Sequence, residues 1–200
     1  MTASLAAKSD FDERSQGPAT GVAVDTITPV AALRRLLRQL RDLILSMSDE
    51  QYVRRPGRAS PVGAHVRHAL DHVAALLRSQ ASGEIDYDER ERGTTVETQR
   101  AVALAQIQAL DEELSRLRSE VVQLPLRMHA RLEADGPRDA FDTTFGRELA
   151  FVCSHTIHHN ALIAVAAWEL GIELPQRFGY APATIRHLDR PACAPSPSFR

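Results

Sequence analysis

The sequence predicts an all-α fold, a bundle of four helices with one small β-hairpin between the third and fourth. Three observations point to it. Leu33, Leu36, Leu37, Leu40, Leu43 and Ile44 recur at helical spacing in the first of four long amphipathic stretches. Between the third and fourth stretch the period drops to two, with Leu126, Met128, Ala130 and Leu132 alternating with polar residues before Asp135-Gly136. The last stretch is apolar around most of its circumference, as a central helix must be.

Helix one opens at Thr28-Pro29, where Thr28 can cap and the proline's missing N–H costs nothing. "SDEQYVRRPG" breaks it. Helix two repeats the cap-plus-proline device at Ser60-Pro61 and runs to about Ala81. "SGEIDYDERERG" reads as a charged loop. Helix three starts at a capping box, Thr94-x-x-Glu97, and buries Val102, Ala105, Ile107, Leu110, Leu114 and Leu117. Helix four follows Thr143-Thr144 and ends at Gly171. A short helix is expected within "PQRFGYAPATIRHL". The domain division is a polar leader over 1–26, the bundle over 27–188 and a proline-rich tail over 189–200, both ends read as disordered.

Composition excludes several classes. With 24 basic and 26 acidic residues the formal charge is -2, and no Lys/Arg run supplies the footprint of a nucleic-acid-binding protein. The N-terminal stretch "MTASLAAKSDFDERS" lacks a basic region followed by an apolar one, so no signal peptide is expected. No apolar run is expected to span a membrane. The two cysteines, Cys153 and Cys193, form no framework, which suits a reducing cytoplasm.

Six of the eight histidines fall in two clusters, "HVRHALDH" on helix two and "HTIHH" on helix four. His155 and His159 stand at i and i+4 on the stripe shared with Glu148, Val152, Leu162, Ile163, Ala166 and Leu170, ~6 Å apart along the axis. Two imidazoles at that spacing can converge on one cation at the ~2.1 Å metal–nitrogen distance of zinc. Unpaired imidazoles in a core stripe would each carry a desolvation penalty, and an ion removes it. His158 points to the flank. On helix two His65, His68 and His72 share a face at the edge of the stripe Val62, Val66, Ala69, Leu70, Val73 and Leu77, with His65 and His72 nearer to it than His68. HxxxH alone is weak: the glutamate of HExxH peptidases and the Glu-x-x-His of di-iron bundles are both missing.

The stretches "SPVGAHVRHALDH", "DYDERER", "GRELAFVCSHTIHHNALI" and "FGYAPAT" resemble the DinB/YfiT-like superfamily, bundles of four helices with a three-histidine metal site. The resemblance runs from Thr28 to about Leu188. It implies His68, His155 and His159 as ligands; His65 and His72 are additional to the commonest pattern, so the helical wheel and the motif register favour different residues on helix two. His65, His72, His158 and Asp71 are alternate ligands or outer partners. The ion would be divalent, zinc or nickel first and iron next, because imidazole suits them all.

Three imidazoles leave a coordination position open, the mark of a catalytic site. The expected function is a cytoplasmic metal-dependent transferase or hydrolase activating water or a thiol on a small substrate, with low-molecular-weight thiols implied by the resemblance. The rival is a non-catalytic metal-binding or stress-related interaction bundle. Glu148 either orients an imidazole, acts as a base, or simply complements the helix start. Asp71 either accepts an imidazole N–H or pairs with Arg67 or Arg78. Cys153, off the histidine face, reads as an inert buried thiol. Tyr87 and Tyr180 are candidates for the mouth. Ile157, Ala161, Ala164 and Trp168 form a second apolar stripe, to be covered by 172–188 or by a second subunit in a homodimer.

Overall fold

The computed structural model describes residues 28–89 and 92–190. The leader and most of the proposed tail lie outside the described residues. Seven helices occur among these: α1 Thr28–Leu45, α2 Asp49–Val53, α3 Val62–Ser82, α4 Thr95–Thr98, α5 Arg100–Ser115, α6 Phe145–Glu169 and α7 Pro182–Leu188. Three strands, β1 Glu84–Asp86, β2 Pro125–Arg131 and β3 Arg138–Thr144, form one sheet in that order. The protein is mostly helical with a small sheet at one end.

The four long helices share one core. α1 packs on α5 and α6, and α3 packs on the same two. The leucine stripe of α1 is buried as the periodicity requires, with Leu33, Leu37, Leu40 and Leu43 wholly inaccessible. α3 contributes Val62, Val66, Leu70 and Val73, α5 Ile107 and Leu114, and α6 Leu149, Val152 and Ile163. By length and composition α6 is apolar enough to cross a membrane, which corrects the expectation that no run would be. Its Leu149, Val152 and Ile163 belong to the same core as α1 and α3, and 39% of its most apolar stretch is buried.

Several local expectations are corrected. "SDEQYVRRPG" contains the helix α2, started by a capping box in which Ser48 and Gln51 each bond the other's backbone N–H. Pro61, not Ser60, occupies the N-cap of α3, and no side chain caps it. The expected box at Thr94 does not form: Thr94 makes no capping bond, and Glu97 pairs with Arg67 at 3.0 Å instead. Helix three is split: α4 ends at Thr98, Gln99 is extended, and α5 begins at Arg100. On α5 Ile107, Leu110 and Leu114 are buried as expected, while Ala105 is exposed and Ala103 takes the inward position.

The charged loop carries β1, which pairs in parallel with β2, Ile85 opposite Met128. One apolar side chain, Ile85, supplies the burial that the charged neighbours masked. β2 and β3 form the expected antiparallel hairpin, from Pro125↔Thr144 to Arg131↔Arg138. β3 runs directly into α6, whose N-cap Thr144 accepts a hydrogen bond from the Arg147 N–H at 3.2 Å.

Candidate metal centre

α3 and α6 lie side by side, and this brings the two histidine clusters face to face. The Nε2 atoms of His68 and His155 are 3.0 Å apart. His72, buried on α3, stacks on His155 with ring centroids 3.9 Å apart. One nitrogen from each of His68, His72 and His155 lies within 4.8 Å of the others, so these three are positioned to hold one ion.

The tautomer of His72 is fixed by its neighbour. Its Nδ1 lies 3.0 Å from the backbone oxygen of His68, which can only accept, so Nδ1 carries the proton. The lone pair is then on Nε2, the condition for ligation. Two nitrogens around a tetrahedral zinc are roughly 3.3 Å apart, close to the observed His68–His155 separation. The residues present therefore fit a divalent ion: all donors are imidazole, they converge from two rigid helices, and one is held in the ligating tautomer.

His159, expected beside His155, has its ring centroid 4.4 Å from that of His68 and 4.6 Å from that of His155. Its Nδ1, however, faces Nδ1 of His65 at 3.3 Å. Burial, and then its histidine neighbours, push His159 down to about 3, so it is neutral at neutral pH. His65 is lowered by burial and by His158. His158 is exposed, its ring 5.3 Å from that of His159. Of the two histidines that the wheel placed nearer the core, His65 and His72, it is His72 that lies with His68, which the motif register singled out, and His155.

Behind the imidazoles stands a buried carboxylate. Glu148, in the first turn of α6, is wholly inaccessible and accepts from Tyr87 Oη at 2.9 Å, Thr143 Oγ1 at 2.8 Å and Arg147 at 3.0 Å. Glu148 is linked to the cluster through Tyr87, whose ring stacks on His72 at 4.9 Å and an interplanar angle of 9°. Burial and then the Glu148 carboxylate raise the Tyr87 phenol well above its ordinary range, so it stays a donor. Phe151 flanks His155, ring centroids 5.6 Å apart. Asp71 pairs with Arg67 at 2.7 Å. Sequence reasoning overlooked Phe151 and Thr143; only their helical and strand offsets from Glu148 and His155 could have signalled them.

A polar cavity of about 430 Å³ adjoins the cluster through Asp71 and Tyr87. Thr94 Oγ1 and Gln106 Oε1 on its wall are buried without a hydrogen-bond partner. Tyr180, expected at the mouth, lies instead at a separate cavity beside α1 and α7. Cys153 donates to the Pro29 carbonyl at 3.4 Å, and burial pushes its thiol up to about 11, in keeping with an inert thiol.

A helical domain with an imidazole cluster between two adjacent helices is the class that fold and site define together. Residues 32–163 match the family described as the DinB superfamily, and the chain belongs to that superfamily. Its fold resembles that of a DinB-like protein from Bacillus subtilis known from a crystal structure, with a TM-score of 0.57 and 19% identity, covering 76% of this chain and 98% of that one. It is also 33% identical over 107 residues to FK506-binding protein 5 of Rhizopus delemar. That match covers 53% of this chain and 28% of the Rhizopus protein's length.

Proposed function

We propose that the protein is a divalent-metal-dependent enzyme acting on a small substrate by transfer or hydrolysis, its architecture a four-helix bundle. The observation that carries the reading is the convergence of His68, His72 and His155, with Nε2 of His68 and His155 3.0 Å apart. A bound zinc or nickel ion would supply Lewis acidity and lower the pKa of a bound water or thiol. His159 is the further imidazole available on α6, in keeping with the superfamily's H-x-x-x-H pattern. The chain's own residues do the rest. His68 fixes the His72 tautomer, and Tyr87 transmits the position of Glu148 to the His72 ring. The polar cavity beside Tyr87 offers Arg78, Thr94 and Gln106 to a small polar substrate such as a low-molecular-weight thiol.

A non-catalytic metal-binding bundle is the second reading. It is favoured by the crowding of His159 and by the aromatic cover of Tyr87 and Phe151, which would close the coordination sphere. We propose a cytoplasmic protein, and a homodimer because α6 leaves Trp168 74% exposed with Val165 near it.

Elemental analysis of protein purified without an affinity tag tests the site. Near-stoichiometric metal that is lost in His68→Ala and His155→Ala, with helical circular dichroism retained, supports it. Wild-type protein that takes up neither zinc nor nickel overturns it. Exchangeable water on the bound ion separates the catalytic from the closed reading.

A further inference from the structure

The second apolar stripe of α6 is covered only in part. Segment 172–188 does return across it, anchored by buried Phe178 and by Gly179. At Gly179, with φ of 75°, a Cβ would lie 2.8 Å from Ala161 Cα, so only glycine allows this close approach. Beyond that anchor the chain stands off. α7 has no buried residue, and between it, α1 and α6 lies a cavity of about 500 Å³. That is within the range of small-molecule sites.

The position of α7 is imposed rather than packed. Arg177 adopts a left-handed backbone, φ 62°, which a non-glycine residue holds only where its surroundings demand it. Its guanidinium makes a two-pronged pair with Asp189 at the end of α7. That pair engages Asp189, the one carboxylate on the cavity wall among the described residues. Arg35 of α1 and Arg186 of α7 also line the cavity, and neither has an ion-pair partner among the described residues. Leu36, Ile157 and Ile185 give the same cavity apolar walls. Apolar walls with two uncompensated guanidiniums complement a molecule with an apolar body and an anionic head. Cys153 and Ile157 border this cavity, whereas His155 occupies the other side of α6, so the two sites are separate.

We propose that this cavity is a second binding site, independent of the histidine cluster, for a small amphipathic carboxylate. Its apolar body lies against Leu36, Ile157 and Ile185 and its carboxylate meets Arg35 and Arg186. Binding would bury part of α7, none of whose residues is buried in its absence.

Isothermal titration of the full chain with decanoate tests this, beside decanol as the uncharged probe. Decanoate is expected to bind, decanol about tenfold more weakly or worse. The Arg35→Ala/Arg186→Ala double variant should lose at least about tenfold in decanoate affinity. Ile157→Trp, which fills the cavity, should abolish binding, circular dichroism confirming that each variant is folded. Decanoate affinity should be unchanged in His155→Ala, which keeps this proposal separate from the metal site. No binding by wild type, equal binding of decanol, or undiminished binding by the double variant overturns it. So does sedimentation in which Ile157→Trp dissociates a wild-type dimer, since a second copy of the chain would then occupy the cavity.

Discussion

Glu148 shows how a single residue's role depends on what surrounds it. A carboxylate in the first turn of a helix is commonplace, favoured by the macrodipole and normally solvated. Here it is buried and held by three donors, of which Tyr87 alone connects it to an imidazole ring. Tyr87→Phe removes one hydrogen bond to a buried charge and leaves the stacked ring. It is expected to lower stability by about 1.5–3 kcal/mol in urea unfolding, with metal content unchanged. A loss below about 0.5 kcal/mol would show that Glu148 does not depend on the phenol. A second residue-scale prediction concerns Asp111, which receives Arg34 at 2.8 and 2.9 Å across α1 and α5. The Arg34 guanidinium holds this carboxyl below the usual carboxylate range. Stability from the pair is therefore complete above the unfolded value of about 3.9 and is lost as pH falls through the lower folded value. Asp111→Asn should cost up to about 1 kcal/mol at pH 6, and the gap to wild type should close toward pH 2. A gap independent of pH would assign the loss to packing.

At the scale of elements, the long helices were legible because each buries enough leucine to show its period, as Leu33 through Ile44 do in α1. Short elements were not. α2 is five residues, β1 is three, and α4 is four, too few for a period to emerge. Ser48 and Gln51 did carry a readable capping signal, whereas Thr94 and Glu97 carried one that tertiary pairing with Arg67 overrode. The histidine site was legible to the extent that spacing defines a face. Spacing along α3 and α6 placed imidazoles opposite one another, yet it could not say which ring nitrogens converge. The rings of His72 and His159 both lie against His68, at 4.6 and 4.4 Å, and a backbone carbonyl holds the tautomer of His72. The junction of α2, α3 and α4 yields a sharper prediction. A Cβ on Gly63 would lie 2.1 Å from the Glu97 carbonyl oxygen and 2.8 Å from Tyr52 Cε1. Tyr52, wholly buried, meanwhile donates to the Val96 carbonyl at 2.8 Å. Gly63→Ala must push α4 backbone away, at a cost of about 1–3 kcal/mol seen as a fall in melting temperature. An unchanged melting temperature would show that α4 is not seated on α3.

For the molecule as a whole, the decisive question is whether an ion couples the two helices that the histidines face across. α3 and α6 already pack through Val66, Leu70 and Val152, all wholly inaccessible, so the domain has a core without metal. Folding therefore should not require the ion, unlike that of a zinc finger. An ion that binds only the folded state still stabilises it by mass action, about 2.7 kcal/mol at a free concentration one hundred times its dissociation constant. For a domain of this size that corresponds to a rise in melting temperature of roughly 5–11 °C. The rise should appear in wild type on adding zinc or nickel and be absent from His68→Ala and His155→Ala. It should persist in His158→Ala, because that imidazole is exposed and outside the convergent group. His158 thus separates a defined site from general affinity of a histidine-rich surface. Equal shifts in all four proteins would locate the ion elsewhere, and the α3–α6 cluster would then be a packing arrangement rather than a metal centre.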